Sequence, residues 1–173
     1  RVPVFLLDEH QVVRPGEIGT VAEIKQAAAV RGLDIQLVEL DAQFRSGGSR
    51  LYEEWVLRLL GLADGGPVDW PGDENYTVRV ADSPQEMEEF LAERLADGYG
   101  ARMSAGFCWP WHDAERGEPL PDDVVIGDWA RPWNNKNERK HGDAPGRSLW
   151  ATQDGGFGQV GCVYTAQGFE YDW

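Results

Sequence analysis

Apolar runs and capped amphipathic segments alternate over the first 107 residues, and this alternation restricts the chain more than any other feature. Residues 2–7 are a continuous apolar run ending in Asp8-Glu9-His10-Gln11. Such a run suits a strand covered on both faces, as in a parallel sheet. Thr20-Val-Ala-Glu23 is a capping box, and Val21, Ile24 and Ala28 share one face of the helix it opens. Arg31-Gly32 ends that helix. Ile35, Leu37, Val38 and Leu40 form the next strand, which stops at Asp41-Ala-Gln-Phe-Arg45 and a Ser-Gly-Gly turn. A second helix carries Tyr52, Trp55, Val56 and Leu59 on its buried stripe, and residues 61–75, rich in Gly, Pro and Asp, form a loop. Residues 76–80 alternate as a strand. Ser83-Pro-Gln-Glu86 caps a third helix with proline at its first position; Met87, Phe90, Leu91 and Leu95 face inward, and Gly98 closes it. Residues 101–107 are the fourth strand. The succession predicts an α/β fold with a parallel sheet and right-handed crossovers.

Periodicity then fails. Residues 109–157 are rich in Pro, Gly, Asn and Asp and hold five of the eight tryptophans: Trp109, Trp111, Trp129, Trp133 and Trp150. Only 123–129 reads as a short strand. Clustered tryptophans argue against disorder in so long a loop. They fit either a satellite hydrophobic cluster or an aromatic platform on which bases stack. The chain ends on Val160, Cys162 and Val163, a short buried strand that breaks into Thr165-Ala-Gln-Gly-Phe-Glu170. Open α/β sheets put their ligand contacts where a strand runs into such a polar, glycine-containing turn. The expected organisation is one α/β domain over 1–173, with a strand–helix core at 1–108, a Trp-rich irregular insertion at 109–157 and the last strand and motif at 158–173. A start at Arg1 and a stop at Trp173 lead us to expect a piece of a longer protein.

A chain of 173 residues that is 42% hydrophobic can bury one sizeable core. It has no apolar run long enough to span a membrane and no signal-peptide pattern, so no membrane association is expected. Cys108 and Cys162 both lie in apolar, strand-like contexts without a second pair, the pattern of buried, reduced thiols in a cytoplasmic protein. His10, His112 and His141 are scattered, and no metal site is expected. The formal net charge of -14 argues against a freestanding, sequence-blind nucleic-acid binder. It leaves open a fragment whose basic surface lies elsewhere in its parent.

Three readings compete for Asp8-Glu9-His10-Gln11. A receiver-like phospho-acceptor domain needs a lysine at a late strand end, and no lysine lies between Lys25 and Lys136. A magnesium-holding Asp-Glu box needs a GxxxxGK[ST] phosphate loop before it, and this chain has none. The third is a resemblance. A strand ending in an acidic residue, then Gln, then an Arg-Pro-Gly turn looks like the sensor segment of superfamily 1 helicases. Asp41-Ala-Gln-Phe-Arg45 resembles the arginine-bearing segment that opens their second RecA-like domain, and Thr165-Ala-Gln-Gly-Phe-Glu170 resembles their fifth motif.

More specifically, Leu7-Asp-Glu-His-Gln-Val-Val-Arg-Pro-Gly-Glu17, Gln43-Phe-Arg45, Ala105-Gly-Phe-Cys-Trp-Pro-Trp111 and Thr165-Ala-Gln-Gly-Phe-Glu170 together resemble the Schlafen group 3-like DNA/RNA helicase domain family over nearly the whole chain. The resemblance implies a RecA-like parallel sheet with flanking helices, the second half of a P-loop NTPase. It implies ATP and Mg2+ as cofactors of the parent, with the Mg2+ ligands and the missing N-terminal RecA-like half outside this fragment, and DNA or RNA as partner. By the same resemblance Gln11 senses the γ-phosphate and Arg45 stabilises its charge, while Gly168 and Glu170 border the nucleotide. Thr165 and Gln167 lie near the nucleic-acid backbone. The parent is then an ATPase and the isolated piece inactive. Each residue keeps a plainer reading beside this one. Gln11 caps the turn at Arg14-Pro15, Arg45 pairs with Glu53 or Glu54, and Glu170 is a solvated carboxylate. The alternative for the whole is a non-catalytic α/β interaction module that binds a protein or a single strand through the Trp-rich insertion.

Overall fold

A computed structural model describes residues 2–8, 19–39 and 46–173. The chain divides into two compact units, Arg1–Gln43 and Phe44–Trp173. In the first, helix α1 (Val21–Val30) begins as its capping box dictates. The Thr20 hydroxyl accepts from the Glu23 N–H at 3.2 Å, and the Glu23 carboxylate accepts from the Thr20 N–H at 2.9 Å. Val21, Ile24 and Ala28 are its half-buried positions, and Gly32 leaves the helix at φ 63°. The apolar runs on either side differ from expectation. Residues 2–8 and 33–39 enter no ladder among the described residues, and Val2, Val4, Phe5, Leu6, Leu33, Ile35, Leu37 and Val38 are exposed. A strand needs a partner for its N–H and C=O groups, and apolar composition alone does not supply one. The predicted end of the second run at Leu40 lies outside the described residues.

In the second unit, a tight turn at Ser46–Gly48, with both glycines at positive φ, leads into α2 (Arg50–Leu59). Ser49 caps this helix, its hydroxyl accepting from the Tyr52 N–H at 3.0 Å and donating to the Asp73 carboxylate at 2.5 Å. The loop after α2 is tied back onto it: Trp55 Nε1 donates to the Val68 carbonyl, and Arg58 donates to the carbonyls of Gly65 and Gly66. Tyr52, Trp55 and Val56 are half-buried as predicted, but Leu59 is exposed and Leu57 half-buried instead. Residues 76–80 form no ladder among the described residues.

Helix α3 (Pro84–Ala96) starts at Ser83, whose hydroxyl accepts from the Glu86 N–H at 3.1 Å. Here the Glu86 carboxylate reaches the Asp82 N–H, one residue before the cap, so the box is only half closed. Leu91 is buried and Phe90 half-buried, whereas Met87 and Leu95 are exposed.

The parallel sheet is small. Strand β1 (Met103–Ala105) pairs in parallel with β4 (Val160–Cys162), with Met103 opposite Val160 and Ala105 opposite Cys162. Between them in sequence, β2 (Val124–Ile126) and β3 (Trp129–Arg131) form an antiparallel hairpin. The single strand expected at 123–129 thus contains a turn, made at Gly127, whose φ of 60° suits the first position of a two-residue hairpin loop. Glu88 of α3 locks this hairpin. Its carboxylate accepts from Arg131 Nε at 2.7 Å, Arg131 Nη2 at 2.6 Å and Trp129 Nε1 at 2.9 Å.

Leu91, Ala101, Met103, Val124, Trp129, Trp133, Val160 and Cys162 form the core, with Trp109 and Trp111 packed against it. Four of the five tryptophans of the irregular stretch, Trp109, Trp111, Trp129 and Trp133, therefore join the same core as the strands. Trp129, Trp133 and Trp150 are 5%, 1% and 0% exposed and offer no face to a stacking base. Trp129 and Trp133 thus lie in the main core and not in a satellite cluster. Cys162 is buried, but Cys108 is exposed, a correction to its expected burial: β1 ends at Ala105, three residues before it.

Candidate functional site

The motif Thr165-Ala-Gln-Gly-Phe-Glu170 follows the carboxyl end of β4. The strand ends at Cys162, and Val163, expected within it, instead starts the single-turn helix α4 (Val163–Ala166). Gln167 at φ -59°, ψ 126° and Gly168 at φ 94° then form a type II turn closed by the Phe169 N–H on the Ala166 carbonyl at 3.2 Å. Only glycine sits without strain at the third position of such a turn, so Gly168 has a backbone reason to be there. The chain next returns to the start of β1. Asp172 and Trp173 donate their N–H groups to the Gly100 carbonyl, and the Asp172 carboxylate accepts the Gly100 N–H at 2.7 Å.

Four of the residues singled out from the sequence thus share one short helix–turn–loop. Gln167, Gly168 and Glu170 are exposed, whereas Thr165 is only 8% exposed and turns inward. Gln11 and Arg45 lie outside the described residues, so their relation to this turn is not described. Among the described residues, no group of three or more His, Cys, Asp or Glu side chains could hold a metal ion. No described helix is long and apolar enough to cross a membrane. A groove of about 720 Å3 bordered by Glu118, Lys140, His141, Asp143 and Gln159 contains none of the predicted site residues.

A buried polar network grips β4 on the edge away from β1. Trp133 bridges Val160 in parallel: the Val160 N–H donates to the Pro132 carbonyl at 2.9 Å and the Asn134 N–H to the Val160 carbonyl at 2.8 Å. Asn134, Asn135 and Gln159 are 0%, 2% and 3% exposed. Asn134 Oδ1 accepts the Cys162 N–H at 2.9 Å, and Gln159 Oε1 accepts the Asn135 N–H at 3.1 Å. Sequence reading passes over these residues because two asparagines in a Pro- and Gly-rich stretch look like turn material.

The charged groups nearby are mostly committed. Arg102 gives its guanidinium to the carbonyls of Ala101, Trp150 and Gln153, and burial lowers its pKa against the opposing charges of Tyr171 and Asp154. At the end of the segment after β1, Asp123 accepts from both the backbone N–H and the ring Nδ1 of His112 at 2.7 Å. Burial pushes the Asp123 carboxyl up, but the bonds and charge of His112, aided by Lys136, outweigh it and hold the group below its ordinary value. Lys136 itself donates to the Trp111 carbonyl at 2.6 Å and to Asp113 at 3.1 Å.

These residues define an α/β domain with a helix–turn motif at the carboxyl end of a parallel strand. Over residues 1–173 the chain matches the family described as Schlafen group 3, DNA/RNA helicase domain, and it belongs to that family. No curated protein and no solved structure matches it.

Proposed function

We propose that this chain is part of an ATP-dependent DNA/RNA helicase or translocase and contributes much of its second RecA-like domain, together with the last strand of the first. The observation that carries the reading is the family match over all 173 residues. The placement of Thr165, Gln167, Gly168 and Glu170 at the carboxyl end of parallel β4 supports it, since α/β sheets bind ligands there. Gln167, exposed at the end of α4, reaches the nucleic-acid backbone. Thr165, 8% exposed, approaches the same backbone with the little surface it presents. Gly168 and Glu170 border the nucleotide, and the glycine leaves room there for a close approach.

Gln11 senses the γ-phosphate, and Arg45, always charged and fork-shaped, spreads over its oxygens. When bound, ATP with its Mg2+ supplies the transferable phosphoryl group. On this reading the Mg2+ ligands belong to the other RecA-like half. The competing reading, a module that binds through its Trp-rich stretch, would have to do without Trp129, Trp133 and Trp150, which are in the interior.

The test is ATP hydrolysis by the parent polypeptide, with and without single-stranded DNA or RNA, in wild type and Arg45→Ala. Strand-stimulated turnover in wild type, abolished in a folded Arg45→Ala, is expected. An unstimulated wild type, or an unaffected variant, overturns the reading.

A further inference from the structure

We infer that Asn134 is a positioning residue that sets where β4 ends and so aims the Thr165–Glu170 turn; its functional half rests on the helicase reading above. The argument starts from the hydrogen-bond register. Pro132 and Asn134 run beside β4 as the start of a parallel ladder, with two backbone rungs in place at Val160. In a regular parallel ladder the next rung would run from the Cys162 N–H to the Asn134 backbone carbonyl. Instead the N–H is taken at 2.9 Å by Asn134 Oδ1, the side-chain carbonyl of the same residue. The side chain substitutes for one backbone rung, and the main chain is released at that point to turn away.

Asn134 Nδ2 donates to the Asn135 carbonyl at 3.0 Å, which fixes the amide orientation so that its oxygen, and not its nitrogen, faces Cys162. Asn135 then directs the departing chain. Its Nδ2 donates to the carbonyls of Arg139 and Pro145, and its Oδ1 accepts the Asn137 N–H. Cys162 is both the last residue of β4 and the residue that precedes the first turn of α4. A group that holds its N–H therefore fixes the last peptide of β4, directly before the helix and turn that carry the motif. Asn134 and Cys162 are both wholly buried, so bulk water does not compete for this N–H in the folded chain. It touches neither nucleotide nor nucleic acid on this reading; it acts through β4.

The test uses the parent polypeptide with Asn134→Ala, which removes the acceptor, and Asn134→Asp, which keeps it. One readout is hydrogen exchange at the Cys162 amide, which is independent of any activity. The other is the concentration of single-stranded DNA or RNA that half-maximally stimulates ATP hydrolysis. Asn134→Ala is expected to speed exchange at Cys162 and to raise the half-stimulating concentration by roughly tenfold or more, the effect of misplacing a contact by a fraction of an ångström to an ångström. Burial raises the pKa of a carboxyl, so Asn134→Asp is expected to stay protonated, to donate to the Asn135 carbonyl as the amide does and to stay near wild type in both; it carries the test if the alanine variant does not fold. Unchanged exchange in Asn134→Ala overturns the rung. Faster exchange with unchanged stimulation overturns the positioning role, as does an aspartate variant that loses protection like alanine. A wild type without strand stimulation overturns the helicase reading instead, and exchange alone then decides whether Asn134 fixes the strand end.

Discussion

Gly161 is the central residue of β4, and a single methyl group there should unseat the strand. A Cβ at this position would lie 2.1 Å from Trp150 Cη2, 2.5 Å from Cζ2 and 2.6 Å from Cζ3. Ordinary contact begins near 3.4 Å, so the indole would have to retreat by on the order of 1 Å. It has little room for that. Trp150 is 0% exposed, its carbonyl accepts from Arg102 Nε at 3.1 Å, and its ring meets Tyr171 edge-on. The same carbonyl lies 1.9 Å from where a Cβ on Gly156 would stand, so the backbone is hemmed in on that side as well. Overpacking a well-filled core costs about 1–3 kcal/mol, and with a rigid ring against a central strand we expect Gly161→Ala to fall at about 3 kcal/mol. Urea unfolding followed by far-ultraviolet circular dichroism should show a lower midpoint with an unchanged slope. Trp150→Leu on its own leaves a cavity, but combined with Gly161→Ala it removes the clash. The double variant should therefore be more stable than the sum of the single losses by about 1 kcal/mol or more. A loss below about 0.5 kcal/mol for Gly161→Ala, or strict additivity, would refute the close approach of the indole to β4.

Two further predictions concern the supports of the domain. Burial pushes the Glu88 carboxyl up, but the hydrogen bonds from Arg131 and Trp129 and the charge of Arg131 outweigh it and hold the group below its ordinary 4.5. A carboxyl depressed in the folded state stabilises it above the unfolded value, and this contribution is lost as pH falls through the lower folded value. The thermal midpoint of wild type should accordingly converge on that of Glu88→Gln as pH drops below about 4.5, and parallel curves would contradict the assignment. Ser49→Ala removes the cap of α2 and should destabilise the unit by about 1 kcal/mol in urea unfolding. The same change takes away the hydrogen bond that, ahead of the Asn75 N–H, lowers the Asp73 carboxyl. Its titration, followed by NMR, should move up towards the ordinary carboxylate range, and an unmoved Asp73 would count against the Ser49 contact.

The helix starts were legible because they are written locally. Thr20 and Ser83 find their partners three residues on, at Glu23 and Glu86, and Gly32 and Gly98 leave their helices at positive φ a few residues after the last turn. The glycine of the terminal motif belongs to the same class, since a type II turn asks for it whatever else the segment does. A parallel sheet is the expected arrangement, but among the described residues only β1 and β4 form it, and both are shorter than the runs that announced them.

Sequence alone could not decide which runs find partners. Residues 2–7 and 33–39 have the composition of strands and no ladder among the described residues, while Pro132 to Asn134, in a stretch without periodicity, lies against β4. Nor could it decide which tryptophans are interior, that Gly161 lies beneath Trp150, or that the amide of Asn134 completes a rung for Cys162 28 residues later. A cap or a turn is satisfied by atoms within a few residues, so the local sequence determines it. A strand partner, a buried indole and a side chain standing in for a backbone carbonyl depend on distant segments arriving at one place, and only the tertiary structure brings them there.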